Sequence, residues 1–372
     1  MHLCHKNCSF RMKQVITFLS ILFCLTATSN TYGQKTDSVS FTNTIIPIAF
    51  FLPETSLGLG GTGITTFRNS SSDPKLRPSQ FIYSAVYTLR RQLLIFLPYE
   101  IYLKNHHVRL KGELGYYRFF YNYFGIGNNS LFEDLETYNV NFPRADFTYA
   151  YTWDRIFYVG GGFKFDQYDI ARIEPDGLLD RLRPVGTSGG TKLNLLALAA
   201  YDTRDNLFAP EKGTYIEAIF ERAFPGGITP FNYQKFNLDI RTYFSIKKDW
   251  VLALNLISSH ASQETPFFDL PYISSPLRAR GFSDRRFLDY NLITTQAEIR
   301  YPIKGRFSGV GFVSPNLLYG GEWTNIGEAG LRFSYGVGFR FELNEEERTR
   351  VRLDIGSGNG ELNFYITTNE AF

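Results

Sequence analysis

The stretch LRFSYGVGFRF, residues 331–341, alternates at every position. Leu331, Phe333, Tyr335, Val337, Phe339 and Phe341 fall on one side, and Arg332, Ser334, Gly336, Gly338 and Arg340 on the other. A side-chain period of two belongs to a β-strand, and here it sets an aromatic face against a polar, glycine-rich one. The pattern recurs. FYVGGGFKF puts Phe157, Val159, Phe163 and Phe165 opposite Lys164, and VRLDI puts Val351, Leu353 and Ile355 opposite Arg352 and Asp354. FNLDIRTY opposes Phe236, Leu238 and Ile240 to Asn237, Asp239 and Arg241. A soluble sandwich also alternates, but its polar face meets water on the outside. Here the polar side carries both charge signs together with glycine. That suits a narrow lumen where charges pair, while the aromatic side suits lipid and its interfacial girdles.

Read back from the C-terminus, such segments run from 361–371 to 43–52 and number about sixteen, at about 21 residues per strand and connection. Short connections (DR at Asp154, KNHH, IKKD, IKGR, NEEER) fall at one end, and the longer 121–137, 170–190 and 261–289 fall at the other. That asymmetry, and an even strand number, match a bacterial barrel with periplasmic turns and outer loops. Pro47 and Pro53 interrupt the N-terminal pair of strands, 43–52 and 55–68, because proline cannot donate to a ladder. Helical periodicity is scarce, and no run of about 18 apolar residues follows residue 34. Phe (35) and Tyr (24) are abundant, which favours strands. A net charge of +3 without a basic cluster gives no reason to expect nucleic acid. The fold expected is all-β: a transmembrane antiparallel β-barrel with a long loop folded into its lumen.

The N-terminus reads as a secretory signal over 1–33, with Met12 as an alternative start. Lys13 supplies the positive charge, Val15 to Leu25 the short apolar core, and small residues lead to cleavage near Gly33. Cys4, Cys8 and Cys24 all precede that point, so the mature chain is expected to hold neither disulfide nor thiol chemistry. A short segment, 34–42, would then lead into the barrel, 43–372.

Several constellations have the residue types of known chemical sites. GLGGTG, residues 58–63, has the spacing of a dinucleotide loop, but strand-like ITTF follows rather than a helix. In the mature chain, His106 and His107 sit in a turn, and His260 follows Ser258 and Ser259. Adjacent strand residues point to opposite faces, so Ser259 is badly placed to bond His260. No G-x-S-x-G elbow occurs and no metal ligands converge. The chain is therefore expected to be no enzyme, with no metal and no cofactor.

YDTRDNLFAPEKGTY, 201–215, joins two alternating segments. It reads as an ordinary turn, a catalytic loop, or the fingerprint of a membrane barrel. Asp202 and Asp205 suit main-chain N–H groups at the strand exit, Arg204 suits a bridge between them, and Pro210 and Gly213 fix the backbone after Lys212. Together these positions resemble the signature turn of the BamA/TamA-like outer-membrane superfamily, the bacterial surface antigen family. Arg280-Gly281-Phe282 resembles that family's R-G-F/Y loop tip, and LITTQAEIRYPI its next strand. Carried over, the resemblance implies that Arg280 pairs with Glu298, which alternation places on the lumen side with Gln296 and Arg300. Family members usually carry a second acid on the following strand, where this chain has Ser314. The ending ELNFYITTNEAF, with Phe364, Ile366 and Phe372, matches the aromatic end-signal of such barrels. The family usually begins with periplasmic POTRA modules, for which 34–42 leaves no room.

The resemblance implies a barrel-only member that inserts or translocates proteins or lipids, with outer-membrane lipids, client chains and accessory periplasmic proteins as partners. A seam between the first and last strands would open, and Pro47 would favour it. The alternatives are a passive channel or porin and, behind it, an outer-membrane hydrolase.

Overall fold

The computed structural model describes residues 29–32, 39–52, 56–69, 78–103, 106–273, 277–344 and 348–372. Its main sheet has seventeen strands. One of these, Ser29–Tyr32, is a side strand lying antiparallel to residues 42–45. The other sixteen follow one another around the sheet as an up-and-down meander. They are β1 Val39–Leu52, β2 Ser56–Asn69, β3 Ser79–Thr88, β4 Leu93–Leu103, β5 Val108–Tyr123, β6 Glu136–Trp153, β7 Phe157–Arg172 and β8 Gly190–Asp202. The second half is β9 Gly213–Ala223, β10 Tyr233–Lys247, β11 Trp250–Ala261, β12 Asn291–Lys304, β13 Phe307–Tyr319, β14 Gly330–Asn344, β15 Thr349–Gly358 and β16 Glu361–Thr368. Every consecutive pair from β1 to β16 is antiparallel with a defined register. β16 returns to lie beside β1, so the sheet curls into a barrel. Among the described residues that pair makes far less contact than any other neighbouring pair of barrel strands.

The alternation decides which side faces out. On β14, Leu331, Phe333, Tyr335 and Val337 are exposed, whereas Ser334 and Arg340 are completely buried. On β15, Ile355 is exposed while Arg352 and Asp354 are buried. Apolar side chains outside and ions inside invert a water-soluble protein, and closure satisfies the backbone without exposing an edge to lipid. Among the described residues no helix is long and apolar enough to cross a membrane.

The first and last strands differ from the sequence reading. β1 begins at Val39 and not at residue 43. Pro47 stands within it, opposite Gly61. A proline is tolerated there because β1 forms one side of the weakly joined margin. β16 ends at Thr368 and not at residue 371, because Asn369 takes a positive φ of 61° and turns the chain inward. Residues 58–63 lie wholly within β2, paired with β1 and β3, so no helix N-terminus is present to receive a phosphate. Pro53 and residues 1–28, and with them most of the expected signal segment, lie outside the described residues.

The three longest connections share one end. The connection 262–290 and those at 124–135, 173–189 and 320–329 lie at one end, opposite the short turns such as 154–156 and 248–249. Under the long loops sits the main aromatic core, with Tyr123, Tyr138, Phe142, Tyr168 and Tyr233 against Phe267 and Phe268 of loop 262–290.

Glycine on the inner face makes room for charge. A Cβ at Gly338 would overlap the Asp354 carboxylate and lie 2.6 Å from Arg340 Nη1. Gly338→Ala is therefore expected to lower barrel stability by about 1–3 kcal/mol, the usual cost of overpacking. Gly227→Ala, in open space on a loop, is expected to be silent. The heat-modifiable mobility of the folded barrel, followed against temperature, measures both.

Candidate functional site: the lumenal loop and its ion pairs

Loop 262–290 passes from β11 to β12 by way of the lumen. A single 3-10 turn, Phe267–Asp269, leads to a small hairpin in which Tyr272–Ile273 pairs with Phe287–Leu288. The hairpin tip carries Arg280, Gly281 and Phe282, all buried. Arg280 Nη2 donates to Glu298 Oε2 on β12 at 2.6 Å, and Nη1 donates to Asp354 Oδ2 on β15 at 2.5 Å. Its guanidinium carbon lies 3.6 Å from the centre of the Phe312 ring on β13. The two acids thus take both arms of the planar fork, and an aromatic face covers its plane.

Asp354 was not singled out from the sequence. Its place in the VRLDI alternation marks it as lumenal, but nothing local says which cation it meets. Ser314, at the position where family members usually carry a second acid, bonds elsewhere. Its hydroxyl donates to the Thr295 carbonyl at 2.8 Å. The second acid therefore comes from two strands further round the wall.

The backbone of the tip is fastened as well. Gly281 has φ +125°, which disfavours any side chain, and a Cβ there would lie 2.7 Å from Ser357 C. Its N–H donates to the Tyr365 hydroxyl at 2.9 Å, and its carbonyl accepts from Asn363 Nδ2 at 3.0 Å. Ser283 N–H donates to Glu361 Oε2 at 2.6 Å, and Arg286 pairs with the same carboxylate. Glu361, Asn363 and Tyr365 all belong to β16. The tip therefore grips the last strand, next to the seam with β1.

A second fastening lies across the lumen. Asp269 is 3.0 Å from Lys235 Nζ on β10 and 3.4 Å from Lys192 Nζ on β8, and it accepts the Tyr233 hydroxyl at 2.8 Å. Burial alone would raise its carboxyl, but the two ammonium groups and the hydroxyl hold it well below the usual carboxylate range. A group depressed in the folded state contributes stability above its unfolded pKa, and that contribution is lost as pH falls through the folded value. Protease protection of the loop should therefore persist from neutral pH down to about pH 4, the ordinary Asp range. Loss of protection already at about pH 6 would show that this contact does not hold the loop.

The ion pairs continue towards the short-turn end. Arg300 Nε lies 2.8 Å from Glu298 Oε1, Arg340 Nη1 2.5 Å from Asp354 Oδ1, and Arg340 Nε 2.8 Å from Glu370 Oε2. Glu370 belongs to the inward-turned tail, where Phe372 packs with Tyr243, Val251 and Ala253. Arg300 Nη2 donates to the Phe372 oxygen at 2.9 Å and Nη1 to the Pro210 carbonyl at 3.1 Å. The three end-signal residues are thus separated. Phe364 is exposed on the outer face of β16 and Ile366 shares that face by alternation, whereas Phe372 is inside.

Turn 203–212 lies across this same end. Asp202 accepts the Arg204 N–H at 3.1 Å and pairs with its guanidinium at 2.9 Å. Asp205 accepts the N–H groups of Glu211 at 3.0 Å and Lys212 at 3.2 Å. Asp205 meets Arg348 at 3.1 Å, so the bridge expected of Arg204 is shared between two arginines. Gly213 has φ +103°. His106 stacks on Tyr102 at 4.4 Å, and His107 Nδ1 lies 3.3 Å from the Thr152 carbonyl. Among the described residues no group of acids, histidines or cysteines is arranged to hold a metal.

Breaking a buried pair strands its partner at a cost of about 3–5 kcal/mol. Asp354→Asn is expected to impair barrel assembly as severely as Glu298→Gln, and Ser314→Ala to have much less effect. The exchange Arg280→Glu with Glu298→Arg is expected not to restore assembly, since Glu at 280 would face Asp354 and Arg at 298 would face Arg300. The fraction of heat-modifiable protein recovered in the outer membrane measures all four, and rescue by the exchange would rule out the Asp354 contact.

Comparison with known proteins agrees with this geometry. A family model described as the Omp85 superfamily domain matches residues 80–364. A solved structure of BamA from Haemophilus ducreyi lacking POTRA domains 1–3 is similar, with a TM-score of 0.60 at 13% identity over 93% of this chain and 75% of that one. CdiB from Acinetobacter baumannii is similar with a TM-score of 0.57 at 13% identity, over 92% of this chain and 65% of that one. Among curated proteins none matches. With its family domain matched over most of the strands and a sixteen-stranded barrel around a buried loop, the chain belongs to the Omp85 superfamily and is a bacterial outer-membrane β-barrel.

Proposed function

We propose that this barrel inserts or translocates other chains, proteins or lipids, through a seam between β1 and β16, and that it reaches the membrane after cleavage of the signal segment 1–33. The observation that carries the reading is where the lumenal loop is fastened. Its tip bonds Glu361, Asn363 and Tyr365 of β16, beside the barrel pair with the least contact. A loop that only blocked a pore would have no need to grip the last strand. Ser29–Tyr32 lies antiparallel to residues 42–45, so this edge of β1 accepts an extended segment, and cleavage of 1–33 would leave it free for another. An extended client segment would add to that edge through main-chain hydrogen bonds, with little demand on its sequence. Turn 203–212 and the tail form the periplasmic face, where an accessory protein would dock.

The porin reading is weakened by the same loop, which fills the lumen with a packed aromatic core and paired ions. Two measurements separate the readings. A disulfide joining a cysteine scanned through β1 to one scanned through β16 is expected to abolish complementation of a strain that lacks the protein, and reduction to restore it. Full activity with the seam locked would end the lateral-opening idea. In planar bilayers the wild type is expected to give small, intermittent currents, and Arg280→Ala larger and longer openings. Large steady currents from the wild type would favour a channel.

A further inference from the structure

Ser258 and His260 are two residues apart on β11 and therefore on one face. That face is the outer one. Ser259, between them, is buried on the lumen side with Asn255 and Ala253. His260 Nε2 lies 2.8 Å from Ser258 Oγ, and His260 Nδ1 lies 2.9 Å from Asn291 Oδ1 at the start of β12. The other end of the Asn291 amide fixes the proton positions. Its Nδ2 donates to the carbonyls of Tyr319 at 3.3 Å and Gly321 at 3.0 Å. Carbonyls only accept, so the NH2 must face them and Oδ1 is left for the imidazole. Oδ1 in turn only accepts, so Nδ1 carries the ring hydrogen. Nε2 then presents its lone pair to the Ser258 hydroxyl. Nucleophile, base and orienting amide stand in the order that acyl-transfer chemistry requires.

We propose that Ser258, His260 and Asn291 form a hydrolytic site on the outer wall of the barrel, with acyl esters of membrane lipids as substrate. The surroundings select that class. Across the ladders Ser258 stands opposite Leu238 and Ile293, and His260 stands opposite Phe236, which is itself exposed. An apolar wall flanks the hydroxyl on both sides. Trp323, 68% exposed on connection 320–329, sets its ring against His260 with centroids 6.5 Å apart. An exposed tryptophan at a strand end marks the membrane–water interface. That is the depth at which a lipid's acyl ester lies, between chain and headgroup.

The step balances without a co-reactant other than water. Ser258 Oγ attacks the ester carbonyl carbon while its proton passes to His260 Nε2. The bond to the alcohol oxygen breaks, and His260 returns that proton to the leaving alkoxide. Water then attacks the acyl-serine, gives a proton to His260 and releases the fatty acid, and Ser258 Oγ recovers its proton. The positioning role of Asn291 is to hold the tautomer. None of these groups belongs to the lumenal ion cluster, so the site stands or falls independently of the insertion reading. It also departs from the sequence expectation of a chain without enzymatic activity.

The test uses the full-length protein in vesicles of phosphatidylethanolamine bearing a fluorescent acyl chain, together with a fluorophosphonate probe. Fatty acid release and covalent labelling by wild type are expected. Ser258→Ala should abolish labelling and lower release at least about 100-fold, with heat-modifiable folding unchanged. Ser259→Ala should leave both intact. Asn291→Ala should depress turnover and shift its pH profile, and Asn291→Gln, which keeps both the accepting oxygen and the NH2, should recover part of the turnover. No release by folded wild type, or release that survives Ser258→Ala, overturns the proposal. Turnover of dispersed p-nitrophenyl butyrate without any release from vesicles overturns the lipid assignment.

Discussion

Arg280 brings a full positive charge into the closed middle of the barrel, where an unpaired ion is costly by several kcal/mol. It is tolerable because Glu298 and Asp354 meet its two arms and Phe312 lies against its face. Neither acid serves Arg280 alone. Arg300 shares Glu298, Arg340 shares Asp354, and Glu370 ties Arg340 to the tail. Each charge is therefore held by neighbours that need it in turn. The loop, the wall of β12 to β15 and the short-turn end behave as one electrostatic unit. A long loop is entropically free to leave the lumen, and this arrangement makes leaving cost more than the loop would gain.

The fastenings are unevenly distributed around the barrel. Asp269 ties the base of the loop to β8 and β10, which lie inside continuous ladders on both sides. The tip ties to β12, β15 and β16, and β16 borders the seam. Force or charge acting on the tip thus reaches β16, one of the two strands that meet at the weakly joined margin. Pro47 in β1 adds to the asymmetry, since it removes a donor from the other side of the same margin.

Much of this was legible from the period of two. Alternation located the sixteen strands, told the inner face from the outer, and put Glu298 on the side where Arg280 is found. It also told against Ser259 as a partner of His260, because neighbours take opposite faces, but the contact with Ser258 emerged only from the structure. What it did not reveal depends on the path of the loop through space. Asp354 is one of many lumenal polar residues until the tip is seen to reach past β12 towards β15. Asp269 sits in a stretch with no periodicity. The tail leaves the strand because Asn369 adopts a left-handed turn, and no regular pattern announces that. In turn 203–212 the residue types fixed the turn, yet the pairing of Asp205 with Arg348 brings together parts of the chain far apart in sequence.

The two faces of the barrel wall are independent for the reason that made the fold legible. A strand residue belongs to one side or the other, and the sheet between them is a single backbone layer. β11 shows the consequence within three residues. Ser259 looks into the lumen, while Ser258 and His260 look out beside Phe236 and Leu238. Changes in the ion cluster reach the outer wall only through the backbone, and changes at Ser258 leave the lumen's charges unaltered. A barrel of this kind has room for a loop-controlled seam inside and a separate polar constellation outside, because alternation lets one strand serve both without sharing a side chain.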